Sequence, residues 1–379
     1  MILKSIHGRS TPDFSGMLRP AADASFSLLD NRPVLFSESA QKIYELNQMG
    51  AYIWCSLLDQ KTTDGVCEDL TKFGLDRRVA RQFVRQALRK WFELGLLEAD
   101  WGLSGEHALT ARVGKLTVNI RTSSERLTQL LIPLFIKSSR ETTCASDMFE
   151  VLELDGQVHV LHNKVSVIRC AVNELVPTIK AYLTEQILLR SSPDVALHAA
   201  CLVTGGKALL VSGRPGAGKT TLALHLMDKG FEFGGDDIVL ITPDGRAEGV
   251  PFAPALKPGA WAMINKFHGD LAESIVHNRL DGKRVRYLKV SRRADGSFPV
   301  SWIVFIKRVP RVPATLIPLG QLETMSRVID GSYAADGKLT DQAFNAIKRT
   351  LTEAQSFELT YSNAVQARDA LVDLCNGQP

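Results

Sequence analysis

One stretch of thirteen residues, LLVSGRPGAGKTT at 209–221, restricts the possible folds more than any other part of the chain. Gly213, Gly218, Lys219 and Thr220 stand at G-x-x-x-x-G-K-[ST] spacing, that of a P-loop (Walker A). An apolar run, Ala208-Leu209-Leu210-Val211, precedes it, and a helix-compatible run from Thr221 to Met227 follows. Strand, tight loop and helix N-terminus together make a concave anion site lined by backbone N–H groups. Gly213, Arg214, Pro215, Gly216, Ala217, Gly218, Lys219, Thr220 and Thr221 are therefore the candidate nucleotide-binding loop. Lys219 would reach the β- and γ-phosphates of ATP, and the Thr220 hydroxyl would ligate Mg²⁺. The competing reading is a glycine-rich turn between a strand and a helix.

Composition narrows the class. The 379 residues are 45% hydrophobic and 23% charged, enough for a sizeable core and for two or three domains. A net charge of +4 is small for this length and does not indicate whole-protein binding to nucleic acid or membrane. Six scattered cysteines, at 55, 67, 144, 170, 201 and 375, form neither C-x-x-C pairs nor zinc-like clusters with histidine. They read as reduced thiols. The first sixteen residues contain no apolar core of a signal sequence, and no run of eighteen apolar residues occurs. The expectation is a cytoplasmic protein outside the membrane.

Two more features of the core carry chemistry. Ala196 to Val203 is a buried-strand pattern with His198 inside it, and Gly205-Gly206 turns the chain into the P-loop strand. His198 is then within reach of the phosphates, against the commoner fate of a lone strand histidine, a satisfied core residue. After the P-loop helix comes Phe231-Glu232-Phe233-Gly234-Gly235-Asp236-Asp237. Two adjacent carboxylates beside Mg-ATP have two separable tasks: holding the metal and taking the proton of an attacking hydroxyl. Asp236 and Asp237 are thus both metal and catalytic candidates, alongside Thr220 for the metal and Lys219 and His198 for catalysis. The plain alternative is a G-G-D-D surface turn.

Residues 1–24 read as a loose lead-in. Short strands follow at Phe26 to Leu29, Pro33 to Phe36 and Lys42 to Asn47, the first two split by the turn Asp30-Asn31-Arg32. Three helices are predicted over 49–58, 62–73 and 75–97, the second opening at the N-cap pair Thr62-Thr63. In the third, Ala80, Phe83, Ala87, Leu88 and Trp91 form the apolar stripe, and Arg78, Arg81, Arg85 and Arg89 share another face. The words Ile43-Tyr44-Glu45-Leu46-Asn47, Gly50-Ala51-Tyr52-Ile53-Trp54, Leu57-Leu58 and Leu94-Gly95-Leu96-Leu97 resemble the PqqD-like family over about residues 25–100. That resemblance implies a winged-helix-like module that recognises ribosomally made precursor peptides, the leader pairing as an added strand. By the resemblance, the receiving edge is the strand 42–47 or its neighbour. The arginines would suit an acidic leader; a solvated face, or DNA reading by a winged helix, are the alternatives.

Residues 110–379 form the second expected domain. The order His198, P-loop 213–220, Asp236-Asp237 resembles the HPr kinase/phosphorylase family, which shares a core with phosphoenolpyruvate carboxykinase. The resemblance implies an α/β (α+β) P-loop kinase that moves the ATP γ-phosphate to a protein serine. It also implies that one aspartate is the base and the other aids the metal. HPr kinase relatives commonly assemble, so a homo-oligomer is implied too. Pro215 and Thr220 replace the family's usual serines, and the C-terminal loop that grips HPr has no clear copy here. HPr as acceptor and the reverse phosphorylase activity are therefore both in doubt.

The remaining segments read mainly as packing. Residues 101–111 read as a linker. Strands are expected at 116–120, 148–154 and 157–162, with Asp155-Gly156 as a hairpin turn; His159 and His162 are read as structural. Helices are expected at 127–136 and at 171–189, the latter kinked at Pro177. The loop 251–259 brings Lys257 near the nucleotide, and Arg284 and Arg286 belong to the densest basic run. Strands are predicted at 301–306 and 357–361, and helices at 316–328, 341–351 and 364–374, with no chemistry in the tail. Two modules on one chain lead to a peptide kinase, which captures a leader and phosphorylates a Ser or Thr of the precursor. The alternatives are a small-molecule or protein serine kinase of the same core, or a nucleotide-gated regulator that binds DNA or a partner.

Overall fold

The computed structural model describes residues 18–99, 101–103, 105–139, 147–154, 156–190, 195–333 and 338–377. Most of the lead-in, Cys144 and Asp155 of the expected hairpin turn lie outside them. Contacts divide the chain into two compact units. One gathers Met1–Thr110, Val118–Thr128 and Arg140–Val172; the other gathers Ala111–Thr117, Gln129–Ser139 and Asn173–Pro379.

The first unit opens with β1 (Leu18–Pro20), β2 (Ala24–Leu29), β3 (Arg32–Ser37) and β4 (Lys42–Glu45). Strands β2, β3 and β4 form an antiparallel sheet in that order. Asp30 and Asn31 connect β2 to β3 with φ of +50° and +62°. Two consecutive left-handed residues match the twist of a two-residue hairpin, and Asp and Asn tolerate that conformation best after glycine. Helices α1 (Gln48–Leu58), α2 (Thr63–Lys72) and α3 (Arg77–Glu93) follow. Each starts on a side chain that accepts a backbone N–H: Asn47, Thr62 and Asp76.

The buried stripe of α3 is Ala80, Val84, Leu88, Trp91 and Phe92. Phe83, assigned to that stripe from sequence, is 42% exposed. Packing decides the matter: the buried arc takes in Val84 and Phe92, with the Trp91 ring edge-on to the Trp54 ring at 5.2 Å, and this leaves Phe83 at its rim. Helix α3 also ends earlier than expected. Gly95 adopts φ +73°, and Leu97–Ala99 becomes a strand paired with β1. From there the sheet runs through Val165–Ala171, Gln157–His162, Asp147–Leu154 and Leu116–Thr122. The predicted linker at 101–111 contains the 3₁₀ turn Gly105–His107 and the start of the strand Ala108–Val113.

The second unit is built on a larger sheet. Among the described residues, six of its ten strands run Glu232–Gly235, Ala199–Thr204, Lys207–Ser212, Phe298–Arg308, Gln355–Tyr361, Thr315–Pro318. The P-loop strand Lys207–Ser212 pairs antiparallel with Ala199–Thr204 and parallel with Phe298–Arg308. Alternation sorts the side chains. Ala200, Leu202, Leu209 and Val211 pack with Leu222, Ala223 and Leu226 of the P-loop helix and with Ala367 and Leu371. Ala199, Cys201, Val203, Ala208 and Leu210 pack on the other face with Val328, Ala346, Ile347 and Leu351. A sheet covered on both faces explains why these strands read as unbroken apolar runs.

Two predicted elements differ. Pro177 does not kink a helix, because the α-helix begins at Leu175 and proline sits in its first turn, where no intrahelical acceptor is lost. Residues 316–328 are not one helix: Thr315–Pro318 is a strand beside Gln355–Tyr361, and the helix Gln321–Asp330 begins only after Pro318 and Gly320.

Candidate functional site

The P-loop joins the end of the strand Lys207–Ser212 to the helix Lys219–Met227, whose N-cap is Gly218. Gly218 has φ +103°, and a Cβ there would lie 2.5 Å from the Tyr361 hydroxyl oxygen. Tyr361 donates that hydroxyl to the Ala217 carbonyl at 2.6 Å, so a residue from the tail strand braces the loop from below. The sequence reading found no chemistry in the tail; this contact is what it missed. Arg214, Pro215 and Gly216 form the exposed rim, and Ala217, Thr220 and Thr221 are half-buried.

Lys219 is buried and donates to the Gly213 carbonyl at 2.8 Å, folding back over its own loop. Burial holds its ammonium below the ordinary range, while Asp236 and Asp237 pull the other way. Thr220 donates its hydroxyl to Asp236 Oδ2 at 2.6 Å. Asp236 is buried, its Oδ1 has no hydrogen-bond partner, and its pKa is pushed up to about 6 by burial and by Asp237. An unpartnered carboxylate oxygen next to a threonine hydroxyl suits a hard divalent cation. Among the described residues no three His, Cys, Asp or Glu side chains cluster as a metal cage. Such a pair therefore fits Mg²⁺, which takes one or two protein oxygens and completes its shell with phosphate and water.

The aspartate pair sits in the bend between Glu232–Gly235 and Val239–Ile241. Gly235 makes that bend possible, because a Cβ would lie 2.8 Å from the Val250 backbone nitrogen. Asp237 has φ +75°, an uncommon conformation for a residue with a side chain. Its carboxylate meets Lys180 Nζ at 2.5 Å. Lys180 holds the Asp237 carboxyl down at about 2. Neighbouring carboxylates thus face different partners and titrate on opposite sides of the ordinary value.

His198 stands between the strands Val195–Leu197 and Ala199–Thr204, so the single predicted strand is broken there. Its Nδ1 lies 3.0 Å from the Asp237 carbonyl oxygen. A carbonyl only accepts, so Nδ1 carries the proton. Burial, then the Lys219 charge, lowers the His198 pKa and keeps the ring neutral near pH 7. Its carbonyl accepts from Ser212 at the end of the P-loop strand, 3.2 Å away.

The structure thus brings Lys219, Thr220, Asp236, Asp237 and His198 together at the mouth of the P-loop. Lys257 is close enough for its charge to act on both Lys219 and His198. Arg286 is occupied elsewhere: it donates to the Leu271 carbonyl at 2.7 Å and stacks over Trp261 at 4.5 Å. Arg284 lies 6.0 Å from the same ring. Sequence reasoning missed Lys180. Its only signal was one lysine between buried Ile179 and Leu183 on a helix, which reads equally as a snorkelling surface residue.

Comparison with known proteins bears on the first unit. Residues 33–97 match the family described as Coenzyme PQQ synthesis protein D (PqqD). No curated protein matches the chain. Among solved structures, one described as TbiB1 in complex with the TbiA(beta) leader peptide is 22% identical, with 22% of this chain and 99% of that chain covered and a TM-score of 0.21. Another, the HPr(Ser) kinase/phosphatase from Coxiella burnetii, is 12% identical, with 48% of this chain and 95% of that chain covered and a TM-score of 0.21.

Proposed function

We propose that a chain with a PqqD domain at residues 33–97 and a P-loop site carrying two aspartates is an ATP-dependent peptide kinase. It phosphorylates a Ser or Thr hydroxyl of a ribosomally made precursor, with the leader held on residues 25–100. The observation that carries this reading is the hydrogen bond from Thr220 to Asp236 at 2.6 Å. It joins the residue after the P-loop lysine to a carboxylate that has one free oxygen, the donor set that Mg-ATP requires.

Backbone N–H groups of residues 213–221 other than Pro215 take the triphosphate, and Lys219 leaves the Gly213 carbonyl for the β- and γ-phosphates. Thr220 and Asp236 would hold Mg²⁺, which would supply charge neutralisation at the phosphates. Asp237 accepts the hydrogen bond of the acceptor hydroxyl and aims its oxygen at the γ-phosphorus. A bond forms between that oxygen and phosphorus as the bond from phosphorus to the ADP oxygen breaks. The hydroxyl proton passes to Asp237 and then to water. A carboxylate with so low a pKa is a weak base, but in a loose phosphoryl transition state orientation outweighs early proton removal. Neutral His198 fixes the Asp237 backbone. Tethering by the leader raises the local concentration of the acceptor, so the site itself need bind the core sequence only weakly.

On α3, Arg78, Arg81, Arg85 and Arg89 are exposed, as are Val79 and Phe83. The four arginines share one face of α3, which favours an acidic leader. The test is incubation of the chain with γ-labelled ATP and the precursor peptide encoded beside it. Label on a core Ser or Thr, lost when the leader is removed, is the expected result. ATP binding without any transfer to peptide would overturn the reading.

A further inference from the structure

Lys180 is the buried charge that the scheme above has not used. It lies near the start of the helix Leu175–Arg190, where Leu175, Val176, Ile179, Leu183 and Ile187 are buried. Its side chain is only 13% exposed. An ammonium in that setting needs a partner, and it has one: Asp237 Oδ2 at 2.5 Å, with the Phe252 ring 5.9 Å away.

We propose that Lys180 is a positioning residue, a clamp that holds the Asp237 carboxylate on the acceptor side while Asp236 serves Thr220. The inference rests on the reading of this site as a phosphotransferase. Asp237 is tethered twice. His198 holds its carbonyl at 3.0 Å, and Lys180 holds its carboxylate. The two tethers come from separate elements, the break between two strands and a helix. Between them they maintain a left-handed backbone, uncommon for a residue with a side chain. Without Lys180, two adjacent carboxylates would compete for the Thr220 side of the site, and like charges at that distance repel. The clamp therefore divides the labour that the sequence left open: Asp236 for the metal, Asp237 for the hydroxyl.

A double-mutant cycle tests the clamp. The variants are K180M, D237N and K180M/D237N, with K180R as the conservative control. Both peptide labelling and release of phosphate from Mg-ATP to water are followed. K180M is expected to lower kcat about 100-fold, since small displacements of a reacting group cost that much, with KM for ATP within about 3-fold of wild type. K180R recovers most of the loss. In the D237N background, K180M costs less than about 2-fold more, because the group it positioned is already gone. Should K180M fail to fold, K180Q, which keeps a polar group within reach of Asp237 but no charge, takes its place in both backgrounds. Equal losses from K180M in both backgrounds, or a raised KM with kcat intact, overturn the proposal. A wild-type chain that releases phosphate to water but labels no peptide ends the peptide reading, and leaves the cycle, read on phosphate release, to decide on Lys180.

Discussion

Two groups of cations in this chain differ in where they are kept. On α3 the arginines lie in water: Arg89 pairs with Glu93 at 3.1 Å with its side chain 62% exposed, and Arg81 reaches only 3.8 Å from Asp64. In the second unit Lys180 and Lys219 are withdrawn from solvent and held at short range by Asp237 and by a loop carbonyl. Exposed pairs contribute little to stability, about 1 kcal/mol or less each, and act through long-range attraction that salt screens. Withdrawn charges interact strongly but fit only one geometry. The surface group is therefore suited to steering a partner, and the withdrawn group to fixing atoms for chemistry.

The contrast can be broken most directly at Lys219. K219M should lower ATP affinity by about 100-fold or more, since it removes a charged contact to two phosphates. Equilibrium titration with a fluorescent nucleotide measures this, and an unchanged affinity would mean that the withdrawn lysine serves packing. A smaller effect belongs to the exposed face. R78E/R85E should weaken binding of an acidic leader peptide about 10-fold at low salt, with the difference shrinking at high salt and ATP affinity unchanged. Arg78 sits in the first turn of α3, where an acidic side chain suits the helix dipole, so the fold is not at risk. A salt-independent loss would show that these arginines are contact residues after all.

The smallest effect sharpens the contrast within the first unit. Lys61, then Tyr52 and Lys72, hold the Asp69 carboxyl down at about 2 from 3.8. A depressed folded value means that Asp69 adds stability above the unfolded pKa and loses it as pH falls through the folded one. D69N should therefore lower the melting temperature slightly at pH 6, and the gap should close between pH 3.8 and about 2. A gap that persists there would assign the effect to the Tyr52 hydrogen bond at 3.0 Å and not to charge.

How much of this was legible in the sequence follows the same division. Local rules did well where neighbours decide the outcome. Asp30-Asn31 gave the hairpin, Thr62 the cap of α2, and the loop motif its strand and helix. They failed where distant packing decides. Phe83 has the spacing of a core residue on α3, yet the buried arc through Val84, Leu88 and Phe92 lies about 100° round the helix from it. Residues 316–328 carry enough apolar side chains for a helix, but Leu316 and Ile317 are drawn into a strand by residues 355–361. The site divides likewise. Asp236, Asp237 and His198 were visible because they fall within forty residues of a strong motif. Lys180 was not, since its partner lies 57 positions along the chain and no local pattern marks a lysine that turns inward.

Tyr361 reaches a loop carbonyl 144 positions earlier. The strand that carries it runs alongside Phe298–Arg308, itself added to the P-loop strand across a long gap. During translation the loop is thus made early and braced late. A nascent chain that has emerged through α3 and both aspartates still has no floor beneath the loop 213–218 until residues 355–361 leave the exit tunnel.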